Sequence, residues 1–245
     1  MVKRGDISYT SSTFPMNYLL TLSLIPLLSA SVLADESTPL SLVKTAAHAL
    51  ADQRNYAWVS TPRSEGASAT WRQGPTYGQT EKDGCTYTKF ELGDNTIETA
   101  FRGEKSAIKL EYDWVSSAEL EGDQAWIAER LKTYRAPAGE AEQLAEAVTK
   151  LEKQPDGSFS GSLTPEKVKD LLVMGRRTNT QPKDLKGSAR FWIKDGVLSK
   201  YEYNLQGKTT GRDDQEIQVN RTTVVEVKDV GATKVQVPEQ GKKKL

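Results

Sequence analysis

The sequence predicts an α+β fold, a curved antiparallel β-sheet forming an open half-barrel with helices packed on its concave face. Three observations carry this. Residues 187–237 fall into three consecutive runs of alternating apolar and polar side chains, the period-two mark of strands with one buried face. Residues 55–116 break into short runs rich in Tyr, Trp, Thr and Ile separated by turn signals, the pattern of an antiparallel meander. Between these two stretches the apolar spacing becomes helical, and helices grouped between runs of strands define a sheet covered on one side. Such a sheet either packs solid or encloses a cavity.

Composition sets limits on function. The 245 residues are 37% hydrophobic and 27% charged, enough for one good core. Lys plus Arg and Asp plus Glu each number 33, a net charge of +0, so no nucleic-acid partner is expected, since that calls for a basic stripe. Cys85 is the only cysteine and His48 the only histidine. An intramolecular disulfide and a multi-histidine metal site are thereby excluded, and the fold must be held by its core. No carboxylate pair stands in an apolar setting that would separate two pKa values. No catalytic residue, metal ligand or cofactor is called for, and the chain reads as non-enzymatic.

Lys3 and Arg4 precede an apolar segment at 16–28, and Val32-Leu33-Ala34 offers small or permissive residues where a signal peptidase reads. Residues 1–34 therefore read as a secretory signal peptide and 35–245 as a single mature domain that is exported, periplasmic or extracellular. Both Met1 and Met16 are candidate starts. The apolar run is short and interrupted by Pro26, so no integral membrane segment is expected after cleavage.

The mature chain opens on a helix. Thr38 caps it, Pro39 takes the first position, and Val43, Ala46, Ala47 and Leu50 share a face, with His48 on the solvated side. Strands follow at 56–61, 69–72, 76–82, 86–92, 96–102 and 106–112, with Gly74-Pro75 interrupting the sheet or marking an edge. Thr86, Thr88 and Phe90 share one side of their strand, as do Ile97, Thr99 and Phe101 in the next. A helical insert spans about 117–153. Ser117 caps its first helix and Pro137 ends it, and a second carries Ala141, Leu144, Val148 and Leu151. A short strand at 158–163 and a third helix from Thr164 complete the middle. Gly175 stops that helix, and Arg176-Arg177 begin a solvated loop.

In the last fifty residues Ala189, Phe191 and Ile193 face one way, and Trp192 points outward among polar neighbours. Asp195-Gly196 supplies the positive φ angles of a type I′ turn. Tyr201, Tyr203 and Leu205 then align, followed by Ile217, Val219, Thr223 and Val225. Arg221 breaks the pattern by sharing their parity. It is either paired with a carboxylate at the sheet's end or a cation inside a cavity, open to a ligand head group. The final residues, Gln240 to Leu245, read as a frayed tail.

This order resembles the periplasmic lipoprotein-carrier superfamily, which comprises outer-membrane lipoprotein carrier and receptor proteins and related mycobacterial lipid-transfer lipoproteins. The resemblance rests on the opening helix at 40–51, on Gly103-Glu104-Lys105-Ser106-Ala107-Ile108-Lys109 with Trp114, on Phe191-Trp192-Ile193-Lys194-Asp195-Gly196 with Tyr201-Glu202-Tyr203, and on Val227-Lys228-Asp229-Val230-Gly231. It implies an open half-barrel whose apolar hollow is lidded by helices. Three departures stand out: inward positions here include several Thr and Ser, the helical insert is long, and no lipobox cysteine is present.

Two functions follow as expectations. In one, the protein shelters a lipid or other hydrophobic ligand between sheet and helices, with Phe90, Phe101, Tyr201, Tyr203, Ile217, Val219 and Val225 as walls and Arg221 at the head group. In the other, it is a cell-envelope interaction module with a filled core that docks another protein, for instance through Trp192.

Overall fold

The computed structural model describes residues 38–65, 73–93, 95–173, 181–210 and 215–245. The signal-peptide reading, the strand expected at 69–72, Gly175 and Arg176-Arg177 lie outside them. The described strands are β1 (Asn55–Ser64), β2 (Gln73–Glu81), β3 (Thr86–Leu92), β4 (Asn95–Arg102), β5 (Lys105–Leu110), β6 (Asp113–Ser116), β7 (Glu152–Lys153), β8 (Phe159–Ser162), β9 (Lys183–Lys194), β10 (Val197–Thr210) and β11 (Glu216–Lys228). The helices are α1 (Pro39–Ala51), α2 (Ala125–Thr133), α3 (Pro137–Glu146), α4 (Pro165–Val173) and the short α5 (Glu239–Lys242).

The strands form one open antiparallel sheet in the order β6-β5-β4-β3-β2-β1-β11-β10-β9-β8-β7. Its centre is the β1–β11 pair, which joins residues 57–64 to residues 221–228. Turn chemistry sets the local reversals. Asp195 and Gly196 have φ of 52° and 77°, the two positive values of the type I′ turn expected there. Register shifts between Leu198 and Lys200 and between Gln206 and Lys208 bend the β9–β10 ribbon. A third shift spans Gly74-Pro75, so this dipeptide makes an irregularity inside the sheet and no edge, because β2 lies between β1 and β3.

Cross-strand register sorts the sheet into two faces. Trp58 lies opposite Gly78, Gly78 opposite Thr88, Thr88 opposite Thr99, and Thr99 opposite Ile108. In the other direction Trp58 lies opposite Val227, and two residues on Val225 faces Tyr201, which faces Phe191. This inner face carries the helices. The threonines there satisfy one another: Thr88 and Thr99 share a hydroxyl hydrogen bond of 2.6 Å, and the Thr80 hydroxyl accepts from Thr86 and from the Trp58 indole, each at 3.3 Å. A Thr-rich inner face is thus compatible with burial.

Helices α1, α3 and α4 cover the inner face over β1 and β8–β11. Val43, Ala46, Ala47 and Leu50 of α1 join Ala138, Ala141, Leu144 and Ala145 of α3 and Val168 and Leu172 of α4 in one core with Phe191, Leu198, Tyr201 and Leu205. Alanines on both α1 and α3 let those helices approach closely. Gly187 does the same for α4, since a Cβ there would sit 2.6 Å from Val168 Cγ2. Helix α1 begins as expected, with the Thr38 hydroxyl accepting from the Ser41 amide at 3.2 Å. His48 is exposed and pairs with Glu142 at 3.1 Å. Helix α2 covers a second area, where Ala128 and Leu131 pack with Leu120 and Ile108.

Three boundaries differ from expectation. Ser116, one residue earlier than Ser117, forms the capping box with Glu119, and Asp113–Ser116 is a strand. Pro137 opens α3 and does not end α2, because proline fits a first helical position. Helix α3 stops at Glu146, so Val148 and Leu151 are not on it. The Ala147 carbonyl accepts from Thr164 N at 2.9 Å, and Thr149 N donates to the Ser162 carbonyl at 2.9 Å. Pairing with the β8 region takes over the backbone groups that a longer helix would use.

On the outer face Cys85, Tyr87, Ala100, Ala107 and Trp114 form a separate buried cluster with Val237. The C-terminal residues are no frayed tail. Leu245 packs on that cluster, Lys244 pairs with Glu119 at 2.8 Å, and a Cβ on Gly241 would stand 3.0 Å from the Trp114 indole. Apolar Val235, Val237 and Leu245 give the segment a surface to bury.

The β7–β8 hairpin is clasped to β9 by Asp156, which accepts from the Ser158 hydroxyl at 2.7 Å and from Arg190 at 2.8 Å. These bonds hold the Asp156 pKa down to about 2. A carboxylate with a lowered folded pKa adds stability above its ordinary value of 3.8 and loses it as pH falls through about 2. Asp156→Asn is therefore expected to flatten the acid limb of stability against pH, as read from urea midpoints on descending pH.

Candidate ligand site in the inner-face seam

Between its two helical covers the inner face is left half-buried. Register makes these half-buried residues contiguous: Ile97, which packs against the α2 cluster, faces Phe90, Phe90 faces Thr76, Thr76 faces Ser60, and Pro62 and Ser64 continue along β1 to Arg221, the partner of Ser64. Ile97, Phe90, Thr76, Ser60, Pro62, Ser64, Arg221 and Ile217 are all half-buried. Their neighbours under the helices are not: Tyr201 is 0% and Val225 1% exposed. The seam thus combines apolar side chains with a few hydroxyls and one guanidinium.

All eight residues singled out from sequence lie on this face, as parity required, but they divide into groups. Phe90, Ile217 and Arg221 border the seam. Phe101 is half-buried and stacks on Tyr134 at 4.1 Å between centroids. Tyr201, Tyr203, Val219 and Val225 belong to the packed core. Trp192 faces outward but is half-buried, with the Lys200 ammonium 4.5 Å and the Arg190 guanidinium 5.1 Å from its ring. Cations cover the surface that a partner would touch.

A polar cluster that the sequence reading missed lies between α2, α3, α4 and the sheet. Glu140, on α3, accepts from the Tyr201 hydroxyl in a short hydrogen bond and from the Tyr203 hydroxyl at 3.4 Å. Burial raises its pKa, opposed by the two phenol donors and by the charges of Lys167 and Arg221. The sequence reading weighed only carboxylate pairs and did not single out Glu140. The signal was available, since Glu140 lies three residues after Pro137 and four before Leu144, on the edge of the α3 apolar stripe. Burial also raises the Tyr134 and Tyr201 pKa values.

Arg221 is not paired with a carboxylate among the described residues. Its Nη2 donates to the Leu171 carbonyl at 3.3 Å, in the last turn of α4, where a cation complements the helix dipole. Its Nε is buried and has no hydrogen-bond partner, and the Tyr134 hydroxyl is in the same condition. Arg130, near the end of α2, keeps an exposed side chain.

A groove of about 750 Å³ lies elsewhere, lined on the outer side by Lys150, Glu152, Ser160, Arg190, Glu202 and Asn204 among others. Its donors are committed locally, Arg190 to Asp156 and Asn204 to Asn220 and Thr222. A polar surface of this kind offers a hydrophobe nothing. Among the described residues no His, Cys, Asp and Glu group could hold a metal ion, and no helix is long and apolar enough to cross a membrane.

No protein-family model and no curated protein matches the sequence. Among solved structures the chain is similar to the lipoprotein LppX of Mycobacterium tuberculosis, with a TM-score of 0.49 and 14% identity over 82% of this chain and 98% of that one. It is also similar to LprF of Mycobacterium bovis, with a TM-score of 0.44 and 12% identity over 83% and 97% of the two chains. A LolA superfamily protein of Nitrosomonas europaea follows at a TM-score of 0.32 and 10% identity over 81% and 95%. At these values the likenesses carry no inference about family or ligand.

Proposed function

We propose that the protein is an exported, non-enzymatic carrier that holds the apolar part of a lipid or similar molecule in the inner-face seam. The observation behind this reading is the run of half-buried residues from Ile97 and Phe90 through Pro62 to Arg221, lying between two helical covers among the described residues. Exposed apolar surface in a concave, partly walled position is what a hydrophobic ligand buries, at roughly 25 cal/mol per Å². The helical covers supply the walls, and Arg221 stands at one end.

A fluorescent fatty acid titrated into the purified protein should bind, and native mass spectrometry of protein taken from its secretory compartment should find lipid aboard. Phe90→Asp, which puts a charge in the seam at a half-buried position, should weaken uptake by about a hundredfold while leaving the circular dichroism spectrum unchanged. Lipid-free protein that ignores the probe would rule the reading out.

The alternative, an envelope interaction module with a filled core, draws on the solid packing beneath α1, α3 and α4 and on Tyr77, an outer-face aromatic that is 54% exposed. It leaves the uncovered seam without a use.

A further inference from the structure

The groove on the outer side of the sheet has a volume of about 750 Å³, within the roughly 300–1,000 Å³ of small-molecule sites. Strand register builds its floor in two adjacent rows. Ser160 lies opposite Arg190, which lies opposite Glu202; two residues along the strands Ser188 faces Asn204, which faces Thr222. Arg190, Glu202, Asn204 and Thr222 are half-buried although the covering helices α1, α3 and α4 lie on the opposite face. Part of the floor is held rigid. Arg190 donates to the Ser158 hydroxyl at 2.7 Å and to Asp156 at 2.8 Å, and Asn204 donates to Asn220 and Thr222 at 2.9 Å each. The rest stays open. Among the described residues the Ser160 and Ser188 hydroxyls and the Glu202 carboxylate have no hydrogen-bond or ion-pair partner, and the Thr222 hydroxyl, which accepts from Asn204, keeps its own proton to donate. The lining charges, Lys150 and Arg190 against Glu152 and Glu202, sum to zero. Apart from Ala189, no apolar side chain lines the groove.

We propose that this groove binds a neutral oligosaccharide. The lining disfavours the other ligand classes. A polyion needs a surface of opposite net charge, and a hydrophobe needs apolar walls. An extended peptide that adds as a strand needs a free sheet edge, whereas the floor's strands are paired on both sides, β9 with β8 and β10, and β10 with β9 and β11. A sugar is crowded with hydroxyls that both donate and accept. Serine and threonine hydroxyls rotate to meet either role, the Glu202 carboxylate accepts from two neighbouring hydroxyls at once, and the unused N–H groups of a fixed Arg190 donate. The groove lies on the face opposite the seam, so the inference goes beyond the carrier reading and does not rest on it.

The test titrates cellotetraose, chitotetraose and maltotetraose into the full chain by isothermal calorimetry, with tetragalacturonate as the acidic counterpart. At least one neutral tetrasaccharide is expected to bind. Glu202→Ala and Ser188→Val should each weaken it at least about tenfold, and palmitate should not displace it. Neither side chain has a partner among the described residues, so both variants should keep the wild-type thermal midpoint, and a lost signal then reports the groove. No binding of any neutral tetrasaccharide, binding that either variant leaves intact, or displacement by palmitate would overturn the inference. Tetragalacturonate bound more tightly than every neutral sugar would overturn it as well.

Discussion

Gly78→Ala is expected to cost about 3 kcal/mol, the upper part of the range for overpacking a core, and to lower Tm by about 10 °C for a chain of this size. A Cβ at position 78 would stand 2.0 Å from Trp58 Cε2 and 2.1 Å from Cζ2. The indole lies flat on the glycine, across from it in the β1–β2 register. It is itself 5% exposed and donates to the Thr80 hydroxyl. A rigid ring cannot yield as the end of a flexible side chain would, so it must rotate out of the core and give up that bond. The coupling is the sharper check. In a Trp58→Leu background the same Gly78→Ala change should cost under about 1 kcal/mol, since the obstructing atoms are gone. An equal cost in both backgrounds, by urea denaturation, would mean that the indole does not rest there.

Glu140→Ala should cost about 3 kcal/mol by leaving the buried Tyr201 and Tyr203 hydroxyls without their acceptor. Glu140→Gln keeps an oxygen in place and should cost less than about 1 kcal/mol near neutral pH. The two differ in pH behaviour as well as in size. Glu140 has a raised folded pKa because it is buried. The fold therefore favours its protonated form, and stability falls as pH rises from the ordinary value of 4.5 through the raised one. Glu140→Gln, which does not titrate, should lack that decline. A Glu140→Ala variant as stable as the wild type would remove the cluster from the account.

Much of the sheet was legible because alternation is a strong signal wherever one face is covered. Trp58, Thr88, Phe90, Ile97, Tyr201 and Val225 all fall on the inner face by parity, and Asp195-Gly196 turns as its residue types require. The misses have a common cause, since each depends on a partner distant in sequence. Strand β6 has four residues, too few for a period to emerge, and is fixed by pairing with β5. The pattern Leu144, Val148 and Leu151 is helical in spacing, but β8 captures the backbone after Glu146. Residues 235–245 carry few apolar side chains, and their partners, Tyr87, Trp114 and Glu119 among them, lie more than a hundred residues upstream. Site residues were legible as a face and not as a site. Parity could place Arg221 inward, but only the helices decide that Val219 and Val225 are covered while Phe90 and Ile217 are not.

Photolabelling with a diazirine-bearing fatty acid, followed by mass-spectrometric mapping, addresses the seam most directly. Insertion is expected at Pro62, Phe90, Ile97 and Ile217, and should be competed away by unlabelled palmitate. Insertion confined to outer-face positions such as Tyr77 or Trp192, or labelling that palmitate does not reduce, would contradict a ligand held between sheet and helices.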